Sequence, residues 1–225
     1  MLGHVDASDW PADFIAMTGD LIQDDSRGAY ARFRSHFGGR GLPVLCVPGN
    51  HDVRELMQDE LAGEPFHYCG SLRYGDWLTV GIDSCKSGSA GGAVDAAELE
   101  RLAGIVAATD AAHVLVCLHH PPLPVGSRWL DRVGLDNGED FLAALAATGK
   151  VRGLLFGHVH QAVDETRHGV RILGTPSTCR QFMPGSEDFA LDERPPAYRR
   201  VLLHADGSIG EELVWVAYPG QGSDA

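Results

Sequence analysis

Val44 to Asp52 reads VLCVPGNHD, and the reading of this stretch decides the fold. Four apolar residues, Val44 to Val47, predict a buried strand. Pro48-Gly49 ends it, and an amide, an imidazole and a carboxylate follow at Asn50, His51 and Asp52. Polar groups just beyond the C-terminal end of a strand stand where α/β sheets bind ligands. The pattern recurs three times, as DFIAMTGD from Asp13 to Asp20, HVLVCLHH from His113 to His120, and VRGLLFGHVH from Val151 to His160. Four apolar strands, each ending in Asp, Asn or His, predict one site at one sheet edge.

The stretches between these strands predict the rest of an α/β chain. Leu2 to Val5 reads as the end of a helix. Asp25-Ser26 caps a helix whose Tyr30, Phe33 and Phe37 share one face, and Gly38-Gly39 ends it. A short helix follows near Val53 to Leu61, then two antiparallel pieces, Phe66 to Cys69 and Trp77 to Asp83. Asp95 with Glu98 forms a capping box for a helix over Ala96 to Ala107, and another helix covers Glu139 to Ala147. After His160 the period changes. Ala162 to Thr166, Val170 to Leu173, Arg199 to His204 and Glu212 to Val216 read as strands, with Asp206-Gly207 as a hairpin turn.

Size and composition narrow the function. The chain has 225 residues, ample for a core, and we read 1–225 as a single domain with 219–225 as a flexible tail. Hydrophobic content of 44% and charged content of 22% are ordinary for a soluble globular protein. No apolar run approaches the roughly 20 residues that span a bilayer, and the N-terminus lacks the basic-then-apolar pattern of a signal peptide. A membrane partner is therefore not expected. The net charge of −13 repels polyanions, which disfavours a nucleic acid polymer as partner. A bound metal would still attract a small phosphate ester. The five cysteines, at 46, 69, 85, 117 and 179, form no C-x-x-C pair and fit a reducing cytoplasm.

Asp, Asn and His together supply oxygen and nitrogen ligands suited to Zn, Mn or Fe. Two such ions about 3.5–4 Å apart clamp a phosphoryl group, hold a hydroxide at neutral pH and stabilise the developing charge. A leaving alkoxide then needs a proton, and His51, beside Asn50, is well placed to give it. Each piece alone has an ordinary reading, since Gly-Asp is a common turn and a single strand-end histidine is commonly structural. The set of four, each after an apolar strand, is what points to chemistry.

Gly19-Asp20, Gly49-Asn50-His51-Asp52, His119-His120-Pro121-Pro122 and Gly157-His158-Val159-His160 resemble the motifs of the calcineurin-like metallophosphoesterases. The resemblance implies a four-layer α/β/β/α sandwich with two mixed sheets and a dinuclear centre between them. It implies that Asp20 bridges two divalent ions (Fe, Mn or Zn), that Asn50, His119 and His158 ligate one and His160 the other, and that His51 acts on the leaving group or phosphate. Of the double histidine, His119 is the expected ligand, because the second position varies in the family. A narrower resemblance, to bacterial class III 3′,5′-cyclic AMP phosphodiesterases, rests on Ser177, Thr178, Cys179, Gln181, Phe182, Phe189 and Asp192. It implies that this segment walls the metals, with Thr178 and Cys179 joining Asn50 and His51 in substrate binding.

The chain departs from the family at its start. The expected first strand, ending in Asp-x-His and supplying two ligands to the ion that His160 serves, is not found. His4-Val5-Asp6 has the residue types in the wrong order and too close to Asp20. The expectation is either an N-terminally truncated chain or a changed metal site, with the second ion in doubt. The function expected is hydrolysis of a small phosphodiester, 3′,5′-cyclic AMP to 5′-AMP. The alternatives are glycerophosphodiesters or other small phosphodiesters, or an impaired remnant holding a single metal. A homodimer is a further expectation.

Overall fold

Successive residues of the apolar runs face two different cores, and this alternation builds the layers. A computed structural model describes residues 1–217, so the tail predicted at 219–225 lies outside the described residues. The elements run α1 (Leu2–Asp6), β1 (Ile15–Met17), α2 (Arg27–Phe37), β2 (Val44–Cys46), α3 (Arg54–Glu60), β3 (Phe66–Tyr68), β4 (Ser71–Tyr74), β5 (Trp77–Gly81), α4 (Ala96–Ala108), β6 (His113–Cys117), α5 (Arg128–Asp131), α6 (Gly138–Ala147), β7 (Val151–Phe156), β8 (Val163–Arg167), β9 (Val170–Gly174), β10 (Gln181–Phe182), β11 (Leu191–Asp192), β12 (Ala197–Leu203) and β13 (Ile209–Trp215).

One sheet has the order β1-β2-β3 and is parallel; a second has the order β4-β5-β6-β7-β9-β8 and is mixed, with antiparallel edges at β4 and β8. β12 and β13 form a separate antiparallel hairpin. In β2, Val44 and Cys46 pack with Tyr30, Phe33, Met57 and Leu61 of α2 and α3, whereas Leu45 and Val47 face the other way. There they meet Leu115 and Cys117 of β6 and Leu155 of β7. The outward residues of the large sheet, among them Val114, Val116, Leu154 and Phe156, pack under α4 and α6. The layers are thus helix, sheet, sheet, helix. The hairpin lies over the inner face of the large sheet through Val201, Leu203 and Ile209. Its turn is fixed by the Trp77 indole N–H, which donates to the His204 carbonyl at 2.7 Å.

The predicted caps form. Ser26 Oγ accepts from Ala29 N–H, and Asp95 accepts from Glu98 N–H. Only half of the capping box is made, because the Glu98 carboxylate accepts instead from Asp83 N–H and Arg101. One pairing differs from expectation. Phe66–Cys69 and Trp77–Asp83 are not an antiparallel pair; β3 joins β2 in parallel, and β5 pairs antiparallel with β4. β4 was not foreseen because Ser71 to Tyr74 buries only Leu72. Its signal was the two-residue Gly75-Asp76 turn between Tyr74 and Trp77, with Gly75 at φ +54°.

Leu45 is fully buried between the sheets, so Leu45→Ala should cost about 2–5 kcal/mol in urea denaturation, whereas exposed Leu202→Ala should stay within about 0.5 kcal/mol of the parent.

Candidate metal centre

Two strands of each sheet deliver the polar residues to the same end of the sandwich. β1 leads into Asp20 and β2 into Asn50, while β6 leads into His119 and β7 into His158 and His160. The turns can approach one another because glycines stand where they meet. A Cβ on Gly49 would lie 2.1 Å from Asp20 Oδ1, and one on Gly157 would lie 2.6 Å from the Thr18 carbonyl. Asp20, His158 and His160 have φ values of +56°, +65° and +50°, a region L side chains rarely adopt. Such conformations concentrate at functional sites, where surrounding structure enforces them.

The ring of His119 fixes the chemistry. It is 1% exposed, and its Nδ1 lies 2.7 Å from the Thr18 carbonyl, which can only accept; Nδ1 therefore carries the proton. In the neutral ring Nε2 then bears a lone pair. It faces Asn50 Oδ1 at 3.2 Å, Asp20 Oδ2 at 3.4 Å and His158 Nδ1 at 3.1 Å. Four electron-rich atoms converge on one volume. His158 Nε2 and His160 Nδ1 are buried without a protein partner among the described residues. This donor set, one carboxylate, one amide oxygen and imidazoles, fits a borderline divalent ion such as Zn, Mn or Fe.

Charge and burial agree with that reading. Burial works against the charge on Asp20, yet His119, when its ring is also protonated on Nε2, and the His51 backbone N–H outweigh it and hold the carboxyl well below its usual range. Burial likewise opposes protonation of His119, and the Asp20 carboxylate outweighs it, raising that imidazole. Positive charge is favoured at this point. His158 and His160 are pushed down, chiefly by burial, so their rings are neutral and their lone pairs free to ligate.

His120 belongs to the same buried histidine group but is otherwise engaged. Its Nδ1 lies 2.9 Å from Ser84 Oγ and its Nε2 3.2 Å from the Ala90 carbonyl, so both nitrogens are taken. Burial pushes its pKa down to about 3. His51 is exposed beside the cluster, its backbone N–H held by Asp20 at 3.0 Å. Thr178 and Cys179 are exposed in the loop between β9 and β10, and Cys179 N–H is bonded to Ser177 Oγ at 3.0 Å. Cys179 is not among the residues of the histidine group. His4 packs against Tyr198, and Asp6 pairs with Arg40. Neither His4 nor Asp6 therefore joins Asp20 and His160.

Three roles were not read from the sequence, although Asp52 and Phe182 stand in the quoted motifs. Asp52 accepts from Gly49 N–H at 2.9 Å, from Leu21 N–H at 3.2 Å and from Tyr30 Oη at 2.9 Å, which ties the β1 and β2 turns together. The signal was its place directly after Asn50-His51, where a turn alone needs no carboxylate. Thr18 acts through its carbonyl, which no side-chain pattern reveals. Phe182 lies flat on His160, with centroids 4.1 Å apart and planes 3° apart.

Residues 2–162 match the family described as calcineurin-like phosphoesterase. The chain belongs to that family. Similar calcineurin-like proteins include the 3′,5′-cyclic adenosine monophosphate phosphodiesterase CpdA of Pseudomonas aeruginosa, 39% identical over 197 residues, which span 88% of this chain and 72% of the relative. CpdA of Escherichia coli K12 is 38% identical over 202 residues, 89% of this chain and 74% of that one. A 3′,5′-cyclic-nucleotide phosphodiesterase of Nostoc is 32% identical across 92% of this chain and 77% of its own length. The fold is shared with a dimetal phosphatase from Danio rerio at a TM-score of 0.60 and 17% identity, covering 84% of this chain and 80% of that one. Calcineurin-like phosphoesterases are hydrolases that use divalent metals, and the histidine cluster can hold one.

His119→Ala should abolish retention of metal after dialysis, measured by elemental analysis, while His120→Ala should lower the unfolding midpoint and keep the metal. Asp52→Ala, which touches no ligand lone pair, should weaken metal affinity by roughly 10- to 100-fold in a chelator competition, because it supports the turns that aim the ligands.

Proposed function

We propose that the chain hydrolyses 3′,5′-cyclic AMP to 5′-AMP. The observation that carries a metal-dependent reaction is the convergence of Asp20 Oδ2, Asn50 Oδ1, His158 Nδ1 and His119 Nε2 on one volume. The substrate is supported by the names of relatives 35–39% identical over most of this chain.

Asp20, Asn50, His119 and His158 would hold one divalent ion, Fe, Mn or Zn, and Asp20 with His160 would serve a second. Bound there, such ions supply Lewis acidity toward the phosphoryl oxygens and a water acidified enough to attack. The protein's own groups do the rest. With Asn50 Oδ1 turned toward His119, its amide N–H groups are left to donate to a phosphoryl oxygen. Water oxygen forms the new bond to phosphorus, and the P–O3′ bond breaks with its electron pair going to O3′. His51, exposed at the site, donates the proton that O3′ takes up. The exposed loop at Thr178 and Cys179 leads into Phe182, which covers His160, and would border the approach of the substrate. Five cysteines without a C-x-x-C pair support a cytoplasmic setting, and no helix among the described residues is long and apolar enough to cross a membrane.

The ligand count favours a second reading, in which the chain as given holds one ion tightly and turns over slowly. Asp20 and His160 alone are too few for an ion without water or substrate. Metal analysis separates the two, since two retained ions per chain reject the single-ion reading.

Purified protein with added Mn or Fe should convert cyclic AMP to 5′-AMP. His51→Ala should lower kcat by roughly 100- to 10,000-fold with metal content unchanged. No 5′-AMP above the His51→Ala background would overturn the reading.

A further inference from the structure

Most of the large hydrophobic side chains exposed among the described residues lie in one short segment. Met183 is 41% exposed, Phe189 62% and Leu191 45%; Leu202 is the other, on the hairpin. The segment begins at Phe182, whose ring covers His160. Phe189 meets that ring edge-on at 5.5 Å and the Trp129 ring at 5.4 Å. An aromatic path of two contacts thus runs from a candidate metal ligand to an exposed phenyl ring.

The shelf is held rigidly, which distinguishes it from an incidental exposed ring. Ser127 Oγ, fully buried, accepts from Gly185 N–H and from the Gln161 amide, both at 3.0 Å. Gln161 is the residue after His160, so one hydroxyl links the shelf to the metal ligand. The Trp129 indole N–H donates to Ser186 Oγ at 3.2 Å, and Arg128 N–H to the Ser186 carbonyl at 3.1 Å. The turn pays for its order with these bonds, yet leaves Phe189 in water. A fixed, exposed aromatic ring beside a phosphodiester site suits a flat, apolar, π-bearing group joined to the phosphate. The neighbouring charge fits as well. Arg180, whose backbone carbonyl faces the His160 ring, is exposed and pairs with no carboxylate among the described residues. In a chain of net charge −13 an arginine so placed is available to an anionic substrate.

We propose that Phe189 is a specificity-determining residue that stacks on the nucleobase of the substrate while the phosphate lies at the histidine cluster. This rests on the phosphodiesterase reading and adds the base-recognition element to it. Purine cyclic nucleotides should then be preferred over diesters with no aromatic group.

The test compares wild type, Phe189→Ala and Phe189→Tyr, loaded with Mn, on cyclic AMP and on glycerophosphocholine, with 5′-AMP binding followed by calorimetry. Phe189→Ala should raise KM for cyclic AMP and Kd for 5′-AMP by about tenfold or more, with kcat, the glycerophosphocholine rate and the unfolding midpoint unchanged. Phe189→Tyr should restore both constants. Cyclic AMP hydrolysis with the same KM in wild type and Phe189→Ala would overturn the shelf and leave the phosphodiesterase reading standing. Tight 5′-AMP binding, lost in Phe189→Ala but without turnover by wild type, would keep the shelf and reject the reaction. A KM change accompanied by dissociation of a dimer in light scattering would make the patch an interface between copies and overturn the proposal.

Discussion

Oxygen and nitrogen atoms of Asp20, Asn50, His119 and His158 crowd into one small volume with few protons to share, and positive charge among them relieves the crowding. That constraint governs this molecule. With the Thr18 carbonyl holding the proton of His119 on Nδ1, the neutral ring turns a lone pair toward Asn50, Asp20 and His158. A proton on Nε2 satisfies only one of the three facing atoms at a time. A divalent cation would satisfy all of them, and its binding energy would offset the crowding of their lone pairs. The left-handed conformations at Asp20, His158 and His160 carry a further cost on the order of 1 kcal/mol or more apiece. The rest of the fold is what keeps these groups together against that cost.

The sandwich does so by dividing the ligands between its sheets. Asp20 and Asn50 hang from the three-stranded sheet, and His119, His158 and His160 from the six-stranded one. The geometry of the site is therefore the geometry of the packing between the sheets. Leu45 and Val47 against Leu115, Cys117 and Leu155 set that spacing with side chains that alternate strictly with those facing the helices. At the rim, where apolar packing ends, polar bonds take over. Asp52 joins the two turns of one sheet, Thr18 reaches across to His119 of the other, and Gly157 leaves room for the Thr18 carbonyl. A shift of either sheet would be felt at the cluster first.

What was legible in the sequence follows from range. Period-two apolar runs disclose strands, and the residues that end them disclose a site, because both signals are local. Hence β2, β6 and β7 and the polar residues that follow them could be read directly. The partner of each strand is a long-range fact. β3 and β5 look alike as short apolar strands, yet Phe66 adds to the small sheet in parallel and Trp77 starts the crossover into the large one. The two histidines at 119 and 120 are equally good ligands by composition. What separates them is that Ser84 and Ala90, distant in sequence, occupy both nitrogens of His120. Asp52 was quoted within the motif, but its work is with backbone N–H groups, which the sequence does not display.

The two sides of the centre differ in how they are built. On the side of His119 and Asn50 the candidate ligands gather half-buried around the buried His119 ring, mutually in contact and braced from both sheets. On the side of His160 the bracing is aromatic. Phe182 stacks on the ring, and behind it stand Trp129 and the turn pinned by Ser127 and Gln161. A stacked ring fixes the plane of an imidazole without engaging its nitrogens, so His160 keeps its orientation and its buried Nδ1 keeps a free lone pair. The segment that orients this ligand also carries the exposed Phe189. Position of the candidate ligand and shape of the adjoining surface are thus set by one element, the first through Phe182 and the second through Phe189.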